Sequence, residues 1–153
     1  QQHGKTSRLS LENQSMLPVF VCLIWAAHGI LNKNLLDSNA VGGKCLDGTP
    51  AGYYYEAPPS GSDGTFWVIY LEGGGFCADQ QSCAQRATTI YGSSSSWPPA
   101  ITGEASYSSD KAENPYFYDG HHVFVPYCAG DVHSGQIATP TPATWGYYFD
   151  GHL

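Results

Sequence analysis

The sequence predicts an α/β sandwich built on a mostly parallel sheet, and three observations carry that reading. Residues 65–72, "TFWVIYLE", are a continuous apolar run of strand length, the pattern of a strand covered on both faces. Residues 121–130, "HHVFVPYCAG", repeat the pattern around Val123, Phe124 and Val125. Between them, "QQSCAQRATTIY" at 80–91 is the best helix candidate, although its two Thr weaken it. A connection that contains a helix is what a parallel strand pair requires.

The elements follow in order. The run "MLPVFVCLIWAAHGIL", residues 16–31, is nearly all apolar. About 15 such residues are short for a membrane-spanning helix, which needs roughly 20. They suit the core of a secretory signal, with Ala27-His28-Gly29 offering small residues for cleavage; a buried core helix or an uncleaved anchor is the alternative. Met16 is the only Met and is read as the initiator, which makes residues 1–15 an upstream extension, 16–29 the signal and 30–153 the domain. "NKNLLDSNAVGGK" at 32–44 reads as loop with a short helical turn, and "AGYYYEA" at 51–57 as a strand. "PPSGSDG" at 58–64 is dense in turn residues and is expected to link two neighbouring strands. Residues 92–115 show little hydrophobic periodicity and are read as a surface flap or a substrate-side loop.

With 153 residues the chain makes one domain at most. Six Lys and Arg against 13 Asp and Glu give a formal charge of −7, which argues against nucleic acid or an anionic membrane surface as partner. High aromatic content (14%), low charge content (12%) and frequent Gly and Pro fit a loop-rich extracellular domain better than a helical bundle.

Cys22 leaves with the signal, so Cys45, Cys77, Cys83 and Cys128 remain, an even number for an oxidising compartment. The short loop between Cys77 and Cys83 favours pairing them, which leaves Cys45 with Cys128. A zinc site built from all four thiolates is the rival, and it lacks paired C-x2-C spacing.

Parallel sheets place their working residues beyond the carboxyl ends of the strands. Gly73 to Cys77 and Cys128 to Gly135 both lie at such ends, so one rim is expected to hold both. Gly73-Gly74-Gly75 end the first run abruptly after Glu72. A phosphate cradle would need a following Lys and Ser/Thr, or G-x-G-x-x-G, and neither is present. An oxyanion hole needs N–H groups that a Cβ would otherwise shield. A tight turn before a disulfide needs the same glycines with no chemistry, and spacing alone leaves both readings open.

"CLDGTPAGYYYE", "WVIYLEGGGFC-ADQQS-CAQR", "GSSSSWP", "NPYFYDGHHVFVPYCAGDVHSG" and "YYFDGHL" together resemble, in order and spacing, the pectin acetylesterase/Notum family of secreted serine esterases, from about Cys45 to Leu153. The resemblance implies the amino-terminal part of an α/β-hydrolase fold and a Ser/Asp/His triad that works without a cofactor or metal. It implies an acylated substrate, acetate on a pectin-like polysaccharide or a longer acyl chain on another acceptor, and an extracellular or cell-wall location. Gly73 and Gly74 match the glycines that supply oxyanion N–H groups. Cys77–Cys83 and Cys45–Cys128 match the family's first two disulfides, and Arg86 matches an Arg after the second cysteine of the short loop.

The nucleophile elbow, G-x-S-x-G, occurs nowhere in these residues. In the family it lies downstream, so the domain is expected to be cut before its nucleophile and inactive by itself. A non-catalytic secreted glycan-binding or interaction domain is the alternative. Local substitutes are weak. Asp131, His133 and Ser134 stand too close in sequence for base and nucleophile to meet. His121 and His122, with His133, Asp119 and Asp131, make a poor metal set because adjacent strand residues face opposite ways. Glu72 is expected to anchor its loop, Arg86 to form a salt bridge or cover a helix surface, and Tyr53, Tyr54, Tyr55, Trp67 and Tyr70 to belong to the core.

Overall fold

The computed structural model of the protein describes residues 29–152. The expected upstream extension and nearly all of the expected signal lie outside the described residues.

Among the described residues five strands form one sheet: β1 (Ile30–Leu35), β2 (Gly52–Glu56), β3 (Trp67–Leu71), β4 (Ala100–Thr102) and β5 (His121–Val125). Their order is β3-β5-β2-β1-β4. Only β3 and β5 run parallel, in register from Trp67↔His121 to Leu71↔Val125. The other three pairs are antiparallel, so the sheet is mixed where a mostly parallel one was expected. A parallel pair needs a crossover, and the helical connection between β3 and β5 is the one place where the sequence offers it. The turn-rich stretch at 58–64 does not join neighbours either, because β5 inserts between β2 and β3.

Helix α1 (Gln80–Ala87) starts where Asp79 accepts from the Ser82 N–H while the Ser82 side chain answers the Asp79 backbone. It ends short of the expected Tyr91. The hydroxyls of Thr88 and Thr89 donate to the carbonyls of Gln85 and Arg86, both at 2.8 Å, and so satisfy the helix end.

Strand β1 was expected as loop, because Asn32, Lys33 and Asn34 hide any alternation. It is a strand because it is paired on both sides, by β2 and β4. Its Leu31 is buried, and Lys33 Nζ donates to the Trp97 carbonyl at 2.8 Å. Residues 92–115 are likewise not a flap. They supply β4, the buried Trp97 and the buried Ser108 and Asn114. The Tyr54 hydroxyl donates to the Pro98 carbonyl at 2.8 Å, which ties this segment to the sheet.

One sheet face carries the main core, with Leu31, Tyr54 and Trp97 beside Cys45 and Cys128 and Phe124 packed against them. A second cluster joins Leu46 to Cys77 and Cys83 under Tyr147 and Phe149. Buried residues of this kind each contribute roughly 1.5–3 kcal/mol by leaving water. Strand β3 departs from expectation. It is an edge strand among the described residues, and Trp67, Ile69 and Leu71 are 57%, 61% and 57% exposed. Tyr70 is also exposed, so of the expected aromatic core only Tyr54 is fully enclosed.

Candidate active site

Because β3 and β5 are parallel, their carboxyl ends share a rim. Glu72 extends the pairing by donating its N–H to the Val125 carbonyl at 2.9 Å. Beyond it the two following segments hold each other. Phe76 bridges Asp131, and the Cys77 N–H reaches the Gly130 carbonyl at 3.3 Å. The Glu72 carboxylate accepts from the Tyr127 N–H at 2.9 Å, so this side chain anchors the turn. His133 Nε2 lies 3.0 Å from the Glu72 carbonyl, and since a carbonyl only accepts, Nε2 carries the proton.

Gly73, Gly74 and Gly75 are exposed at this rim, and among the described residues their N–H groups donate to no protein acceptor. Each glycine answers a different need. Among the described residues a Cβ at Gly73 would meet nothing within 4 Å, so its absence leaves open space in front of the peptide. A Cβ at Gly74 would sit 3.1 Å from the Tyr127 ring and 3.4 Å from the Arg86 guanidinium. Gly75 has φ +74°, a left-handed conformation that side chains disfavour.

The loop's carbonyls, in contrast, are held. Arg86 Nη1 and Nη2 donate to the Gly74 carbonyl at 3.0 and 2.6 Å. In a trans peptide the carbonyl of one residue and the N–H of the next point in opposite directions. With the Glu72 carbonyl turned towards His133 and β5, the Gly73 N–H faces away, towards the open side of β3.

Two aromatic rings complete the wall. The Arg86 guanidinium lies 5.0 Å from the centre of the Tyr127 ring and 5.7 Å from that of Tyr91. Tyr127 is 1% exposed, and burial pushes its hydroxyl above the usual tyrosine range. Its oxygen accepts from the Val132 N–H at 2.6 Å. Val132 and His133 both adopt left-handed conformations, with φ of 54° and 57°, which is costly for a β-branched residue. Asp131 stabilises the turn, its carboxylate accepting from the N–H groups of His133 at 3.1 Å and Gly151 at 2.8 Å. Sequence reasoning placed this loop at the rim and missed its strain.

The remaining candidates separate. The Ser134 hydroxyl donates to the Asp131 carbonyl at 2.7 Å, not to His133, so Asp131, His133 and Ser134 form a turn and no triad. His121 pairs through Nδ1 with the Tyr55 hydroxyl at 2.7 Å and stacks on Trp67. His122 is buried and reaches the Phe117 carbonyl at 2.8 Å. No group of three His, Cys, Asp or Glu able to hold a metal occurs among the described residues. Cys45–Cys128 and Cys77–Cys83 are disulfides, which leaves none of these four thiolates for zinc. Among the described residues no helix is long and apolar enough to cross a membrane.

The family model described as Pectinacetylesterase matches residues 26–153. The chain is 41% identical over 111 residues to palmitoleoyl-protein carboxylesterase notum1a of Danio rerio, an overlap of 71% of this chain and 21% of that protein. It is 41% identical over 102 residues to inactive palmitoleoyl-protein carboxylesterase notum1b of the same species, covering 65% of this chain and 68% of the relative. The solved structure of the Wnt deacylase Notum from Drosophila superposes with a TM-score of 0.69 at 32% identity, over 79% of this chain and 34% of that one. The chain thus spans about a fifth of the length of the first of these relatives.

Proposed function

The chain belongs to the pectinacetylesterase family, and from that premise we propose that it supplies half of the oxyanion hole of a secreted carboxylic-ester hydrolase. The observation that carries this reading is the pair of N–H groups at Gly73 and Gly74, without partners among the described residues and exposed at the carboxyl end of β3. When a nucleophile attacks an ester, the carbonyl oxygen gains negative charge, and preorganised N–H donors lower that barrier by roughly 3 kcal/mol each. The open edge of β3 is where the ester approaches, because the Gly73 N–H faces that side. The attacking serine comes from outside these 153 residues, which contain no G-x-S-x-G. No metal or cofactor takes part in this scheme.

The substrate is an acetylated extracellular polysaccharide of the pectin type, as the family's description suggests. Two disulfides fit an oxidising, extracellular compartment. A panel of p-nitrophenyl esters, from acetyl to long acyl, tests the reading on the full-length product. Preferential turnover of the acetyl ester supports it. Preference for long chains moves the substrate towards an acylated protein, while the ester-hydrolase reading stands.

A second reading has its own support. A relative of which this chain covers 68% carries the word inactive in its name. On that reading the domain binds an acylated ligand without cleaving it. A folded full-length protein that turns over none of the esters selects this alternative.

A further inference from the structure

We propose that Arg86 is the positioning residue of the glycine loop, fixing through two backbone carbonyls the direction in which the loop's N–H groups point. Its catalytic consequence rests on the esterase reading above, whereas its effect on the loop does not.

The sequence builds the clamp in three steps. The Cys77–Cys83 disulfide ties the residues just after the glycines to α1. Arg86 follows Cys83 by three residues, so both lie on one helix face and point at the same loop. From there Nη1 and Nη2 reach the Gly74 carbonyl at 3.0 and 2.6 Å, and Nη2 also approaches the Gly75 carbonyl at 3.4 Å. The partners are peptide oxygens, where a salt bridge or a plain helix surface was expected.

A forked grip on one oxygen fixes the plane of the 74–75 peptide as well as its position. With that carbonyl held against Arg86, the Gly75 N–H points to the opposite side, and the donor pair at Gly73 and Gly74 is anchored at its carboxyl end. The positive charge adds strength, since hydrogen bonds from a charged donor are roughly twice as strong as neutral ones. Drawing on the carbonyl also polarises the peptide, which makes its N–H a better donor. Tyr91 and Tyr127 flank the guanidinium, and Nε is buried with no partner among the described residues, where Arg86 is held by stacking and by the carbonyls. Lysine cannot copy this, because its ammonium is a point charge without a fork.

The test uses Arg86→Lys and Arg86→Gln in the full-length protein, with kcat and KM for an ester and the amide NMR signals of Gly74 and Gly75. Releasing the anchor that follows them lets the Gly73 and Gly74 donors drift, which is expected to cost about 100-fold in kcat at little change in KM, and Arg86→Lys is expected not to rescue it. The Gly74 and Gly75 amide signals are expected to shift and broaden in both variants. Wild-type kcat in Arg86→Gln, a loss confined to KM, or unchanged amide signals would overturn the proposal. Should the wild-type protein hydrolyse no ester, the esterase reading fails and the amide signals alone decide the clamp. Should Arg86→Gln not fold, Tyr91→Leu removes one stacking ring. It is expected to give a smaller change of the same signals, and no change there counts against the clamp.

Discussion

His133 Nε2 and the Glu72 carbonyl oxygen stand 3.0 Å apart, a contact that joins residues 61 positions distant and ties the loop after β5 to the end of β3. It turns one peptide so that the next N–H, that of Gly73, faces open space. His133→Ala leaves that carbonyl without its donor. It is expected to cost about 1 kcal/mol of stability and to lower kcat, both readable from denaturant titration and ester turnover of the full-length protein.

Gly73 and Gly75 separate chemistry from conformation. A methyl at Gly73 meets no atom of the described residues within 4 Å, so Gly73→Ala is expected to leave the unfolding midpoint unchanged. On the proposed esterase reading the same methyl would intrude on the space for the reacting carbonyl, and it is expected to depress kcat. Gly75→Ala forces a side chain into a left-handed conformation and is expected to lose roughly 1 kcal/mol of stability. If the glycines served a turn alone, Gly73→Ala would be silent in both measurements.

How much of this was legible in the sequence depends on what each residue needed from afar. Val123 to Val125 and Trp67 to Leu71 announce strands by their own side chains, and the helix between them announces the parallel pair. Both ends therefore fell correctly on one rim. Asn32, Lys33 and Asn34 carry no such pattern, and only pairing with β2 and β4 makes them a strand. The helix end was hidden for a similar reason, since Thr88 and Thr89 stop it with hydroxyl bonds that a periodicity count does not see. At the site, the glycines were visible as a motif, but the grip of Arg86 on Gly74 depends on the disulfide that swings α1 against the loop.

The two disulfides are expected to differ in weight. Cys45–Cys128 closes a separation of 83 residues and Cys77–Cys83 one of 6. Chain entropy assigns about 4.5 kcal/mol to the first and about 2.2 kcal/mol to the second. Cys→Ser pairs at each bridge, compared by denaturant unfolding, check the order. A larger loss at Cys77–Cys83 would show that loop anchoring, not chain entropy, dominates.

Alkali should destabilise the fold. Burial raises the Tyr127 hydroxyl, and burial with the Glu72 charge behind it raises that of Tyr54. A group whose folded pKa lies above its unfolded one lends stability that is full below the unfolded value, about pH 10. That stability is lost as pH rises towards the folded value. Unfolding midpoints are thus expected to fall above about pH 10, and less steeply in Tyr127→Phe.

The most direct measurement is a crystal structure of the full-length protein inactivated by a phosphonate ester, whose phosphoryl oxygen takes the place of the developing oxyanion. The expected result is that oxygen within about 3 Å of the backbone nitrogens of Gly73 and Gly74. A phosphoryl oxygen held elsewhere, with those two N–H groups turned inward onto neighbouring peptide carbonyls, would contradict the account.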